Sequence, residues 1–262
     1  MRNLRIHKIV WLIVFVLSFT ISGLSIIFQD LYQGVVSQEI IPGTIAQDGM
    51  TLILSVLGFG LVLSVKANKR VTQVLILSIL FYMFYAYSIY VIEQIYTSFY
   101  IGYILIVAAT FWALIFALLS INLSDYKKVI LSKNLRYITV VFSLFTVCLF
   151  TILWIAQLIP LMIHHQKPDF TYSIYILDLV YIMPAFLIVS ILLFKKKTIG
   201  LVLSPILFFK AFTLLFSVGV GYYVRSFYGF PITFGGGMFY LVISIMFFIV
   251  SFYQLRSIYR AE

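Results

Sequence analysis

The run IYILDLVYIMPAFLIVSILLF (174–194) holds a single carboxylate, Asp178, and a helix breaker, Pro184. The next apolar run carries a single ammonium, Lys210, inside FFKAF (208–212). In hydrocarbon an unpaired charge is costly, so such residues pair with one another or mark a ligand site, an ion pathway or a proton relay. Only the short basic turn KKKT (195–198) separates the main parts of the two runs, so their helices should be neighbours. By helical rise, Asp178 lies about 26 Å from the basic end of its run and Lys210 about 18 Å. A lysine stem spans most of that gap, which predicts an Asp178–Lys210 pair, direct or through water. Two roles fit the pair equally: a solute or proton site, or a link that only fixes helix packing.

Further polar residues extend this candidate site. Ser78, Tyr82, Tyr85, Glu93 and Tyr96 fall within roughly 80° of arc on one helix face. Tyr82 and Tyr85 lie deep enough to need partners, while Glu93 and Tyr96 suit the interface. Asp48 stands at the outer end of the second apolar run. A carboxylate there suits a helix N-terminus, and the same bland reading stays open for Asp178. The loop MIHHQKPDF (162–170) offers His164, His165 and Asp169, with Asp178 near enough to complete a metal set. Adjacent histidines point apart, however, and no HExxH spacing is present, so neither a metal nor a cofactor is expected. In RSFYGFPITFGGGMFY (225–240), the open amides of Gly235–Gly237 could meet an anion, or the loop could form an interfacial aromatic belt.

The elements that carry these residues are transmembrane helices. The chain is 63% hydrophobic and 10% charged, against about 25% charged in soluble domains. A helix needs about 20 apolar residues to cross a bilayer. Eight segments qualify: 8–28, 50–66, 71–92, 101–122, 137–160, 174–194, 200–222 and 236–255. The expected fold is an all-α polytopic membrane bundle, one transmembrane domain over 1–262. Basic residues orient it, since 15 of the 18 Lys and Arg fall at one end of the alternating spans. The positive-inside bias then puts that end and both termini in the cytoplasm. Asp30, Glu39, Asp48, Glu93 and Asp169 fall at the other end. The +10 net charge is therefore a topology signal with attraction for anionic lipid headgroups at the cytoplasmic face, and no nucleic-acid partner is expected. The basic, then apolar N-terminus reads as an uncleaved first span. Cys148, alone in its chain, excludes an intramolecular disulfide and reads as packing.

An even number of spans invites a four-plus-four comparison, with halves 1–125 and 133–262. DGMTLILSVLGFGLVLSVK (48–66) and DLVYIMPAFLIVSILLFK (178–195) both run from Asp to Lys in the same direction. A parallel repeat of the transporter kind and a chance likeness between apolar segments both account for this.

AQD (46–48), YAY (85–87), DLVYIMP (178–184) and LLFKKKTIGLVLSPILFFK (192–210), taken in order, resemble a family of bacterial multi-pass membrane proteins that carries no established activity. The resemblance covers roughly residues 43–215. Members have a proline in the second helix where this chain has LGFG (57–60). The resemblance implies a bacterial plasma membrane setting and no particular chemistry.

No P-loop, GxSxG or dinucleotide fingerprint occurs, so an enzymatic role is not the leading expectation. Intramembrane charges and the span prolines Pro184 and Pro205 favour a small-solute or ion carrier of permease type, with Asp178, Lys210 and Asp48 lining an outward cavity. A non-catalytic accessory, immunity or sensor protein is the alternative. A lipid-modifying enzyme using Asp178, Asp48 or His165 has the least support, because no nucleophile or metal constellation accompanies them.

Overall fold

In the computed structural model, residues 3–168 and 172–262 are described. They form eight helices long and apolar enough to cross a membrane. These are α1 (Leu4–Ile27), α2 (Ile41–Ser64), α3 (Arg70–Ile92), α4 (Tyr100–Ser120), α5 (Lys133–Ile163), α6 (Ser173–Phe194), α7 (Thr198–Tyr228) and α8 (Phe234–Tyr259). No strand occurs among the described residues. Hydrocarbon offers the backbone no hydrogen-bond partner, so each apolar run satisfies its own amides as a helix. The chain is a multi-pass membrane protein.

Sequence neighbours pack as antiparallel pairs: α1 on α2, α3 on α4, α5 on α6 and α7 on α8. The pairs assemble around α3 and α7, which pack on each other and on α2. α3 buries residues on every side, from Gln73 to Tyr90. α5 buries only Thr139, Ser143 and Thr146, and Cys148 on it is exposed, facing outward rather than packed within the bundle.

The helices begin where local chemistry allows. α2 starts at Ile41, well before the hydropathy run at 50, with Pro42 in its first turn. Proline suits that place because its missing N–H would be unpaired there anyway. The polar stretch that hid this start, Thr44 to Asp48, faces the bundle, where Tyr32, Tyr90 and the α3 backbone bond to it. α5 is capped by Ser132, whose Oγ accepts the Leu135 N–H at 3.2 Å. Between α6 and α7 the chain reverses through Lys196 at φ 55°, with the Lys197 N–H donating to the Leu192 carbonyl at 2.8 Å.

The end carrying the basic loops is tied shut. The Arg70 guanidinium, at the start of α3, donates to the Asp125 carbonyl and to the Ala261 carbonyl at 2.6 Å. The Val71 N–H donates to Glu262 Oε1 at 2.7 Å. These contacts join the α2–α3 turn, the α4–α5 loop and the segment after α8.

At the opposite end, Gly236 and Gly237 of α8 pack closely against Tyr222 and Tyr223, while Gly235 has open space beside it. A Cβ on Gly237 would stand 2.6 Å from the Tyr223 ring and 3.0 Å from the Gly219 carbonyl. Across the same seam, a Cβ on Gly219 would meet the Leu241 side chain at 2.7 Å. Overpacking of this kind typically costs 1–3 kcal/mol, so Gly219→Leu should lower thermal stability in detergent by about that amount. Gly60→Leu, on an exposed face of α2 with nothing near its Cβ, should leave the melting temperature unchanged.

Candidate functional site

Asp178 lies more than a turn inside α6, which begins at Ser173, so it does not cap that helix. From Asp178 to Ile182 the helix widens into a π turn, with the Met183 N–H donating to the Asp178 carbonyl. Pro184 explains the distortion. Proline has no N–H to donate, and its ring collides with the carbonyl one turn back in a regular α-helix. The wide turn takes up that mismatch, and such turns recur at functional sites.

Two donors hold the Asp178 carboxylate. The Tyr85 hydroxyl of α3 donates to Oδ1 at 2.8 Å, and Trp154 Nε1–H of α5 donates to Oδ2 at 2.9 Å. Asp178 thus ties three helices together. Lys210 does not reach it directly, contrary to the simplest form of the predicted pair. Its Nζ stands 3.3 Å from the centroid of the Tyr85 ring and 6.0 Å from that of Phe81. Tyr85 therefore sits between the two charges, its hydroxyl on the carboxylate and its face under the ammonium. A desolvated cation–π contact contributes about 2 kcal/mol, and the charges are near enough to attract one another. Among the described residues, the buried ammonium makes no hydrogen bond and no direct ion pair.

Asp48 belongs to a different structure. It lies two turns inside α2 and is 1% exposed. Its Oδ2 accepts the Tyr32 hydroxyl at 2.5 Å, and its Oδ1 accepts the Tyr90 hydroxyl at 3.0 Å. The Tyr90 ring packs on Tyr87 and Tyr103, with centroids 5.8 and 5.1 Å apart. Burial, reinforced by the Asp48 charge, raises the Tyr32 hydroxyl far above the ordinary tyrosine range, so it stays a donor. Neither capping nor a shared cavity describes Asp48: it is a carboxylate locked in a tyrosine cage.

The remaining candidates separate by position. Tyr82 lies behind the site, its hydroxyl donating to the Gln47 carbonyl at 3.3 Å. Glu93, expected at the interface, partners the start of α6, where its Oε1 accepts the Ser173 N–H at 2.6 Å. Ser78 bonds the Val74 carbonyl one turn back, and Tyr96 is exposed beyond the end of α3. His164 and His165 are exposed in the α5–α6 loop, and Asp169 lies outside the described residues. Among the described residues, no three His, Cys, Asp or Glu side chains come together.

One cavity of about 660 Å³ joins Asp178, Tyr85, Trp154 and Lys210. Its rim is formed by the loops opposite the basic end, including Ser37, Glu39, Glu93, Pro168 and Arg225. Its walls are apolar, with Ile182, Met183, Leu214 and Leu215. Phe186 and Phe247, also lining it, join Phe208 and Phe142 in an aromatic floor, the Phe142–Phe247 centroids being 4.4 Å apart. Asp48 and Tyr82 do not line this space. Trp154, Tyr32 and Tyr90 are partners that sequence reasoning missed. The only signal for Tyr90 was the tyrosine richness of α3, and nothing in the sequence singled out Trp154.

No protein-family model, curated protein or solved structure matches the chain.

The two buried charges should respond differently to removal. Asp48→Leu leaves the buried Tyr32 hydroxyl without its acceptor, at roughly 1–3 kcal/mol, leaves Tyr90 with the Thr44 carbonyl alone, and should lower the unfolding temperature. Lys210→Met removes a buried ammonium that has no direct ion pair and leaves the two hydrogen bonds of Asp178 in place, so it should lower the unfolding temperature less than Asp48→Leu. Thermal unfolding of both variants in detergent checks this contrast.

Proposed function

We propose that the chain is a carrier of permease type in a bacterial plasma membrane, with both termini cytoplasmic and the cavity open to the outside. One observation carries this reading: the cavity descends from one end of the bundle to a buried ammonium that no protein acceptor satisfies. A lysine retained only to fix packing would be expected to pair directly and dryly with its carboxylate. Here it faces open space instead. The positive-inside bias assigns the basic, tied end to the cytoplasm, so the rim faces outward.

In this reading the structure is an outward-open state. The floor of Phe142, Phe186, Phe208 and Phe247 and the Arg70 tie beneath it would have to part for release. The π turn of α6 and Pro205 within α7 adjoin that floor and supply places where the helices can bend. A sensor or accessory subunit would share the binding step and lack this opening.

Uptake by proteoliposomes across a panel of labelled small solutes tests the proposal. At least one solute should accumulate above protein-free vesicles, and Lys210→Met should abolish that accumulation while the protein stays folded. Binding of a solute with no uptake of it would end the carrier reading in favour of a sensor.

A further inference from the structure

We infer that the cavity takes a monoanionic amphiphile, a carboxylate on an alkyl or aryl body, with its headgroup at Lys210. This rests on the proposal that the cavity is a solute site, and it specifies the solute.

The first argument is the imbalance of donors and acceptors. Both oxygens of Asp178 already accept a hydrogen bond, from Tyr85 and Trp154. The Lys210 side chain is 1% exposed, and its ammonium has three N–H donors, no hydrogen bond among the described residues, and the Tyr85 and Phe81 rings beside it. A buried charged donor without an acceptor is the costliest group in the site. The ligand that relieves it brings an oxygen acceptor, and an anionic oxygen makes the stronger bond. A cationic ligand would find a carboxylate that already holds one hydrogen bond on each oxygen, whereas the ammonium holds none.

The second argument is charge. At depth there is one cation without a direct ion pair and one carboxylate close by, so a single anionic group suits the ammonium. A dianion would set its second charge against Asp178. Nearer the rim, Glu93 is bonded to the Ser173 amide, and Arg225 stands over the Phe230 ring, 5.2 Å from its centroid.

The third argument is the wall. Met183, Phe186, Leu214, Leu215 and Val218 line the space above and around Lys210. Two polar lining side chains are already engaged, Gln47 with the Ala86 carbonyl at 3.1 Å and Thr44 with the Ile40 carbonyl at 3.3 Å. A sugar or a small zwitterion would find few partners there, whereas an apolar body would displace water from apolar surface. The helices beside the cavity point the same way. α5 and α8 meet at their inner halves, through Gln254 and Thr139 at 2.9 Å and Phe142 and Phe247. Farther out, Phe150 and Trp154 of α5 and Tyr240 of α8 border the cavity. An apolar tail is thus flanked by two helices whose other faces are largely exposed.

Equilibrium binding to the full chain in nanodiscs decides the matter, with empty nanodiscs as the partition control. The probes are labelled decanoate, decyl phosphate, decanol and decylammonium. Decanoate should bind saturably and at least about tenfold more tightly than each of the other three, the scale of one charge-assisted hydrogen bond. Lys210→Met should erase its advantage over decanol. Equal affinity for decanoate and decanol, or tighter binding of decylammonium or decyl phosphate, would overturn the assignment on the unaltered protein alone. Full retention of decanoate preference in folded Lys210→Met would overturn it as well. Saturable decanoate binding without uptake leaves this inference standing and removes only the carrier reading.

Discussion

A tyrosine ring set between a buried carboxylate and a buried ammonium holds the centre of this bundle. Had Lys210 met Asp178 directly, each charge would have satisfied the other and the cavity would end on a closed pair. With Tyr85 interposed, Asp178 gains a hydroxyl donor, while Lys210 gains only a ring face. The carboxylate is satisfied by the protein and the ammonium is not. The arrangement draws α3, α5, α6 and α7 to one point, because Trp154 completes the same carboxylate from α5. Low dielectric makes each of these contacts stronger than it would be in water and makes any unmade one more costly. Through Asp178, Tyr85 links α3 to α6 and, by way of Trp154, to α5.

The two buried aspartates show how surroundings divide one side chain into two roles. Asp48 is closed in by two hydroxyl donors and packed aromatic rings, with no open space beside it. Asp178 has the same number of donors but borders the cavity, with a cation in view. Asp48 therefore accounts for helix packing among α2, α3 and the segment before α2, and Asp178 accounts for the polarity of the cavity. Both draw a hydroxyl from α3, which explains why that helix is the most enclosed and so rich in tyrosine.

Much of this architecture was legible in the chain because hydrocarbon leaves few choices. Eight apolar runs gave eight helices, and most ends fell within a few residues of expectation. α2 was the exception, since Thr44, Gln47 and Asp48 look like loop residues until Tyr32, Tyr90 and the α3 backbone are seen to cover them. Asp178 and Lys210 stood out individually as charges within apolar runs. That they share one cavity follows from α6 and α7 being neighbours, which the short turn between them predicts. The intervening ring did not follow, because Tyr85 is distant in sequence and one of several tyrosines on α3. Trp154 was hidden for a similar reason: it lies on another helix, 24 residues from Asp178, in an apolar run that does not mark it as a donor. Capping did not follow from carboxylate type and approximate depth, because these do not fix helix starts: Asp48 and Asp178 lie inside their helices, and Glu93 reaches the start of α6 from the end of α3.

The central claim is that Lys210 and Asp178 face a water-filled cavity opening at the end opposite the basic loops. Leu214 lines that cavity one turn outward from Lys210, whereas Ile53 lies on the exposed face of α2. In a Cys148→Ala background, Leu214→Cys should react in intact cells with a membrane-impermeant maleimide, and Ile53→Cys should not. Failure of Leu214→Cys to react, or reaction only after the cells are opened, would contradict the account.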